Sequence, residues 1–218
     1  METIYILEVS QVYMSELREK ILEVAHGLFT RYGVRSITMD DIARELSISK
    51  KTIYQEVKDK DEVVKMATRF HLEGERREYD EIAVSSKDAI DQLVKLSVCM
   101  RKNLHDINPS LLFDLKKYHR SAWDEWVAFK MEFIHNSIVE NLRWGIREGL
   151  FKEDISVEIL AIMRLQQVEM SFDNAIYPTN KFDFRDVQMV LFDHFICGIV
   201  NAKGRAFYDQ YRNQLLEK

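Results

Sequence analysis

The sequence predicts an all-α protein built from a small N-terminal unit of three helices and a larger C-terminal helical region. Three observations support this fold class. A chain of 218 residues with 46% hydrophobic residues can bury a substantial core. Only 2 prolines and 7 glycines interrupt it, which favours long helices over a β-sandwich or barrel. Apolar residues also recur at helical spacing along most of the chain.

The stretch from Thr38 to Lys60, TMDDIARELSISKKTIYQEVKDK, has the pattern of two short helices joined by a tight turn. Thr38 can cap the first helix, with Asp41 three residues later as in a capping box, and Ser49 can cap the second. The apolar residues that face each other, with one in the turn, are Ile42, Ala43, Leu46, Ile48, Ile53 and Val57. The pattern predicts a helix-turn-helix, whose second helix, residues 49–56, enters a DNA major groove.

Two lysines, Lys50 and Lys51, stand in the first turn of that second helix. Lysine is mildly unfavourable there, by about 0.3–1 kcal/mol, because a helix N-terminus carries partial positive charge. A DNA phosphate docked at the helix tip would account for both residues. The alternative is a solvated lysine pair on an ordinary surface helix.

Residues 17–66 resemble the N-terminal DNA-binding domain of the tetracycline-repressor (TetR) family of transcriptional regulators. The matching segments are ILEVAHGLFTRYG, SITMDDIARELSISKKTIY and KDKDEVV. The positions that match the family pattern are Tyr32-Gly33, Thr38, Ile42-Ala43, Ser49-Lys50, Tyr54 and Asp59-Lys60. Several fixed spacings over about fifty residues are far more specific than a single short motif.

The chain departs from the family pattern at three positions. It has Ser47 where glycine is frequent in the turn, Lys51 where glycine or alanine is frequent, and Val57 where phenylalanine is usual. Ser47 is therefore expected to adopt a less comfortable backbone angle. None of the three changes removes a charged contact, so they bear on which operator is recognised rather than on DNA binding.

The resemblance implies roles for the exposed residues around the second helix. Lys50, Lys51, Tyr54 and Lys60 would hold phosphates, and Thr52 and Gln55 would contact bases. Arg35 lies just before the first of the two helices, where it could touch the DNA backbone. The full set of expected DNA-binding residues is Arg35, Thr38, Ser49, Lys50, Lys51, Thr52, Tyr54, Gln55 and Lys60.

The helical pattern divides the chain into three parts. Residues 1–14 do not share the pattern that follows and form an extension, either a start site assigned too early or a genuine flexible segment. Residues 15–61 form the helix-turn-helix domain and residues 62–218 the larger domain. In the larger domain, helices are predicted near 86–106, 109–118, 121–148, 156–176 and 184–213.

The resemblance implies that the larger domain binds a small molecule and forms a homodimer. Its aromatic, methionine and polar residues could line an effector pocket: Phe113, Trp123, Trp126, His135, Met163, Gln166, Gln167 and Met170. The alternative for each is an ordinary place in the core. Gly198, Ala202 and Ala206 recur every four residues on the predicted last helix and could admit a partner helix, or else a neighbour in the same subunit.

Charge and composition exclude several other classes. The net charge is −5, yet residues 15–60 carry nine Lys/Arg against eight Asp/Glu, so the excess acid lies in the remainder. Two isolated cysteines and six scattered histidines predict neither a disulfide framework nor a metal site, and no cofactor is expected. No apolar run is long enough for a membrane span and no secretory signal is recognisable, which predicts a cytoplasmic protein.

The sequence therefore predicts a homodimeric DNA-binding regulator, not an enzyme, in which an unidentified small molecule releases a repressor from a palindromic operator on double-stranded DNA. Two alternatives remain. One is a helical carrier or enzyme with a vestigial helix-turn-helix. The other is a DNA-binding dimer that binds no ligand.

Overall fold

The computed structural model describes residues 15–104 and 107–216, with side chains to residue 211. The predicted extension at residues 1–14 lies outside the described residues, as do the last two positions of the helix predicted at 86–106. The described part contains eleven α-helices, one π-helical turn and no β-strand. The all-α expectation is confirmed.

Four helices make up the N-terminal part of the molecule. They are α1 (Glu16–Tyr32), α2 (Met39–Glu45), α3 (Lys50–Glu56) and α4 (Lys60–Ser85). Each begins where a side chain accepts a hydrogen bond from a backbone N–H in the first turn; the caps are Ser15, Thr38, Ser49 and Asp59. The predicted capping box of Thr38 and Asp41 is present in both directions.

The backbone turns sharply at two places in this region. Gly33 ends α1 with a φ of 81°, a conformation that suits glycine. Ser47 joins α2 to α3 with a φ of 55°, and it is the one non-glycine residue with positive φ in the described part of the chain. The expectation of an uncomfortable angle at Ser47 is confirmed.

The hydrophobic core of the helix-turn-helix does not end at residue 61. Ile21, Ile42 and Ile53 are fully buried and bring α1, α2 and α3 together. The same cluster extends along α4 and reaches Leu115 and Ala122 in later helices. The two regions are therefore packed against each other through shared apolar residues.

Seven helices follow α4. They are α5 (Ala89–Asn103), α6 (Leu111–Tyr118), α7 (Arg120–Phe129), α8 (His135–Arg147), α9 (Val157–Ser171), α10 (Phe184–Ile199) and α11 (Ala202–Leu216). The helix predicted at 121–148 is continuous but contains a π-helical turn, Lys130–Ile134, between α7 and α8. A π turn carries an extra residue and shifts the facing of side chains, which simple periodicity does not register.

The prediction of a single helix at 184–213 is wrong, because the helix is interrupted at Val200 and Asn201. Val200 is extended and forms an isolated antiparallel bridge with Phe151. The Asn201 side chain donates to the carbonyls of Gly149 (3.0 Å) and Phe151 (3.2 Å) and accepts from the backbone N–H of Gly204 (3.0 Å). These bonds end α10 and begin α11 in a new direction.

None of the helices in the described ranges is both long and apolar enough to cross a membrane.

Candidate nucleic-acid interface and internal cavity

The first turn of α3 is exposed, and its two lysines differ in their contacts. Lys50 Nζ lies 2.9 Å from a carboxylate oxygen of Asp40, and both side chains are about half exposed. Lys51 has no partner within the described part of the chain. Tyr54 and Gln55 are exposed on the same helix. An exposed ion pair such as Lys50–Asp40 stabilises little, so both lysines remain available to an anion.

Three of the expected DNA-binding residues have a structural role in the caps. Thr38 exchanges hydrogen bonds with Asp41, and these bonds lower the pKa of the Asp41 carboxyl. The Ser49 hydroxyl accepts from the Thr52 backbone N–H at 3.1 Å and lies 2.8 Å from the Thr52 hydroxyl. The Thr52 hydroxyl is thus already occupied, which leaves Gln55 as the freer side chain for base contacts.

Lys60 and Arg35, both expected at DNA phosphates, make contacts within the protein. Lys60 Nζ donates to the Val34 carbonyl at 2.7 Å, and burial lowers the pKa of Lys60. The Arg35 backbone N–H donates to Asp114 at 3.2 Å, and its guanidinium lies 5.5 Å from the centre of the Tyr118 ring. Lys60 therefore connects two segments of the helix-turn-helix, and Arg35 connects that domain to α6.

A cavity of about 940 Å³ lies behind the helix-turn-helix. Residues from α1, from every helix between α4 and α10, and from the π-helical turn line it. Apolar residues such as Leu72, Leu93 and Phe192 form much of its wall. Its polar lining residues include His26, His71, Glu75, Glu78, Arg164 and Gln188. A mostly apolar cavity with a few polar groups is typical of a small-molecule site.

Of the eight residues predicted for a ligand pocket, Trp126 lines this cavity. The seven that do not are Phe113, Trp123, His135, Met163, Gln166, Gln167 and Met170. Phe113 and Met163 are exposed, and His135 lies 3.6 Å from Glu158. On α9, the residues that line the cavity are Arg164, Leu165 and Val168.

Two histidines and an acid form a cluster at one side of the cavity. The rings of His26 and His71 stack with centres 4.8 Å apart, and His71 Nε2 lies 3.4 Å from Glu75. Burial and then the His71 charge lower the pKa of His26 to about 4. Burial lowers the pKa of His71 too, but the hydrogen bond and charge of Glu75 outweigh it and raise that pKa overall.

The second acid of the cavity, Glu78, is also engaged. It accepts from the Asn103 amide at 2.7 Å and from the Cys99 thiol at 3.2 Å. Burial, then the hydrogen bond to Glu78, raises the pKa of Cys99 to about 12, so the thiol is not activated as a nucleophile. Within the described residues, no group of three or more candidate ligands could hold a metal ion.

Sequence reasoning missed the polar contacts that join α4 to the helices behind it. His119 Nδ1 lies 2.7 Å from an Asp61 oxygen, and Glu125 on α7 pairs with both Lys65 and Arg69. No local pattern could have found these pairs, since their members are more than fifty residues apart. Arg164 gave a signal that was overlooked: it is a lone charge within the apolar stretch ILAIMRLQQV.

The residues proposed for a dimer contact do not share one helix. Gly198 is exposed near the end of α10, whereas Ala202 and Ala206 are exposed on α11 beyond the break. Larger exposed apolar residues stand on α9 and α10, namely Ile159, Ile162, Met163 and Val190.

The comparisons with known proteins agree with this architecture. Residues 21–67 match the family described as bacterial regulatory proteins, tetR family. The chain is 32% identical over 190 residues to the HTH-type transcriptional regulator YvaF of Bacillus subtilis (strain 168), covering 83% of this chain and 94% of the relative.

Solved structures share the fold. A putative transcriptional regulator from Saccharomonospora viridis in complex with choline has a TM-score of 0.70 at 21% identity and covers 86% of this chain and 99% of its own. A TetR-family transcriptional regulator from Agrobacterium tumefaciens has a TM-score of 0.72 at 15% identity and covers 84% and 97%. Together with the helix-turn-helix described above, these matches establish that the chain belongs to the TetR family of DNA-binding transcriptional regulators.

Proposed function

We propose that this protein is a homodimeric repressor that binds a palindromic operator and is released when a small organic molecule enters the cavity. The observation that carries the proposal is the position of α4. Its first turns are part of the helix-turn-helix core, and its following turns line the cavity. One helix therefore contacts both the DNA-binding unit and the space where an effector would sit.

The geometry of α4 explains how the two sites would communicate. It is continuous for 26 residues, so it is about 39 Å long. Val64 and Ala67 belong to the helix-turn-helix core and also line the cavity, and His71 and Glu75 continue the lining. A ligand that displaces the middle of α4 would tilt its first turn and the attached α3. In a dimer, that tilt changes the distance between the two recognition helices.

A modest energy difference is enough for such regulation. Coupling free energies between sites are typically about 1–3 kcal/mol, which changes affinity roughly 5–150-fold. The ion pairs of Glu125 with Lys65 and Arg69 connect α4 to α7, and the contact of Asp61 with His119 connects it to the junction of α6 and α7. They give α4 defined contacts that a ligand could break or reorganise.

Homodimer formation is supported by the exposed apolar residues of α9 and α10. Ile159 is 67% exposed, Ile162 50% and Val190 68%, and they lie on two helices that pack against each other. A second copy with the same two helices would bury this surface as a four-helix bundle around a twofold axis. Palindromic operators require that symmetry.

The cavity favours an effector-responsive regulator over a DNA-binding dimer that senses nothing. A core that served only for dimer formation would be filled, since protein interiors are close-packed. A space of about 940 Å³ is instead within the range of ligand sites. The structural neighbour crystallised with choline is an example of this fold holding a small molecule.

Fluorescence anisotropy tests the proposal directly. The purified protein is first freed of bound small molecules by extraction. It is then titrated onto the DNA upstream of its own gene and onto a scrambled fragment at about 150 mM salt. A preference of roughly 10³-fold or more for one fragment would establish specific recognition. If neither that fragment nor a genomic fragment library is bound in preference to scrambled DNA, the regulator proposal fails.

A further inference from the structure

Arg164 is a buried cation at the cavity wall. It is 4% exposed, lies on α9 and lines the cavity. The side chains nearest to it are weak partners for a charge. Its guanidinium lies 3.5 Å from the Gln167 amide oxygen, 4.0 Å from the Met100 sulfur and 4.7 Å from the centre of the Phe192 ring.

No carboxylate in the described part of the chain lies within ion-pair distance of Arg164. Burying a cation without a counter-charge is costly, so buried arginines are normally paired. Burial lowers the pKa of Arg164 to about 10, with Tyr79 opposing that effect, so the group is still protonated at neutral pH. The cavity wall therefore carries a desolvated positive charge with unused N–H donors.

The acids that line the same cavity do not pair with Arg164. Asp80, Glu132 and Glu140 are exposed, and the other two are engaged elsewhere. Glu75 pairs with His71, and Glu78 accepts from Asn103 and Cys99. Lys130, another cation of the lining, already pairs with Glu169. A negatively charged ligand would therefore supply the counter-charge that the buried Arg164 lacks.

In the part of the chain that the structure describes, two further polar atoms near the cavity have no hydrogen-bond partner. Gln188 donates its amide N–H to Val168 and Ser171, but its Oε1 is buried and has no partner among the described residues. The Val168–Gln188 contact is one helical turn from the Arg164–Phe192 contact, so Gln188 and Arg164 lie on neighbouring turns of the packed helices α9 and α10. The Trp126 indole N–H is likewise buried and unpartnered. Both residues line the cavity.

We propose that the effector is an amphipathic organic anion whose carboxylate or phosphate pairs with Arg164 while its apolar body fills the cavity. This inference rests on the proposed function, in which the cavity is the effector site. A planar guanidinium forms bidentate bonds with either head group. Gln188 and Trp126 are placed to bond polar groups on the ligand body. A cationic ligand would meet the Arg164 charge at short range in a medium of low dielectric constant.

The test compares probes that share one apolar chain and differ in charge. Full-length protein is titrated calorimetrically with dodecanoate, dodecyl phosphate, dodecanol and dodecyltrimethylammonium, the charged probes below their micelle concentrations and dodecanol below its solubility limit. The variants are Arg164→Gln, Arg164→Met and Arg164→Lys. Arg143→Gln is the matched control, because Arg143 also borders the cavity but is half exposed and paired with Glu158. Circular dichroism and operator binding are measured for every variant.

We expect at least one of the two anions to bind the wild-type protein more tightly than dodecanol and the ammonium compound. Arg164→Gln and Arg164→Met should lose about 10- to 100-fold in affinity for that anion, whereas Arg143→Gln should lose little. Arg164→Lys should recover part of the affinity. The ligand-free variants should fold and bind operator as the wild type does, because the lost charge has no carboxylate partner among the described residues. The difference between the two anions indicates which head group the site prefers.

Three results would overturn the inference. One is the absence of any preference for the anions, including no binding by any probe. Another is equal anion binding by Arg164→Gln and wild type. The third is unfolding of both neutral variants, which would make Arg164 a structural residue. Operator binding by ligand-free wild type is measured separately, so its loss counts against the proposed function and not against the anion preference.

Discussion

The turn between α2 and α3 requires the left-handed backbone conformation at Ser47, and the serine Cβ raises the free energy of that conformation. With a φ of 55°, any residue that has a Cβ is strained there by roughly 1 kcal/mol. Ser47→Gly should therefore raise the free energy of unfolding by a few tenths to about 1 kcal/mol in urea denaturation. Ser47→Ala keeps the Cβ and removes the hydroxyl, so it should show no gain. Equal stability of the two variants would mean that the angle is not the source of strain.

The lysine pair at the tip of α3 is expected to strengthen DNA binding through its charge, without contributing to base recognition. Lys50→Ala with Lys51→Ala should weaken binding to operator and scrambled DNA by similar factors. The slope of log affinity against log salt should flatten by roughly 0.9 for each phosphate contact removed. The control is a double variant that removes two positive charges from the C-terminal region, Lys181→Ala with Lys203→Ala. An unchanged salt slope in the Lys50/Lys51 variant would remove this pair from the interface.

The histidine pair in the cavity predicts a dependence of stability on pH. The folded pKa of His26 is about 4, below its ordinary value of 6.5, so the unfolded chain takes up a proton first as the pH falls. Stability should therefore decrease from pH 6.5 to about 4 by as much as roughly 2–3 kcal/mol. His71, whose pKa is raised, acts in the opposite sense and loses its contribution as the pH rises.

The measurement is urea denaturation of ligand-free protein between pH 4 and 8 for wild type and His26→Gln. Glutamine can keep a hydrogen bond with Thr30, which lies 3.3 Å from His26 Nδ1, but it does not titrate. The variant should lose part of the acid-sensitive stability. Parallel pH profiles for the two proteins would contradict a buried neutral His26.

Sequence reasoning succeeded on single elements where the signal was local. The caps Thr38 and Ser49 were visible because each acts within three residues of its partner. The break after Ile199 was not visible, because it depends on Asn201 reaching the carbonyls of Gly149 and Phe151 about fifty residues away. A helical periodicity that happens to continue across the break hides it.

The packing of α11 against the segment before α9 depends on the absence of a side chain at Gly204. A Cβ there would lie 2.0 Å from the Leu150 carbonyl oxygen, which belongs to the backbone and cannot swing away. Gly204→Ala should therefore destabilise the protein by about 1–3 kcal/mol or more, despite alanine's better helix propensity. Gly27→Ala, on α1 with nothing within 4 Å of its Cβ, should be neutral or mildly stabilising. Chemical denaturation at equal protein concentration distinguishes the two, and equal effects would refute the clash.

At the scale of the whole molecule, the helix-turn-helix was predictable and the cavity was not. The tip of α3 is specified by residues within one short stretch, so motif spacing identified it. The cavity is lined by α1 and by the helices α4 to α10, and which face of each helix points inward depends on how the helices cross. Trp126 lines the cavity, whereas Met163 and Gln166 lie on the opposite side of α9, on the surface proposed for the dimer.

That surface supplies a prediction about assembly. Ile162 is 50% exposed on α9, beside Ile159 and close to α10, so a glutamate there costs little in an isolated subunit. In a dimer it would bury a charge against its twofold mate. Ile162→Glu should therefore shift sedimentation equilibrium from dimer to monomer and weaken operator binding, with helical circular dichroism unchanged. Val84→Glu, 89% exposed at the end of α4, makes the same chemical change away from this face and should leave the dimer intact. If Ile162→Glu remains dimeric, α9 is not part of the contact and the two recognition helices must be held together by another surface.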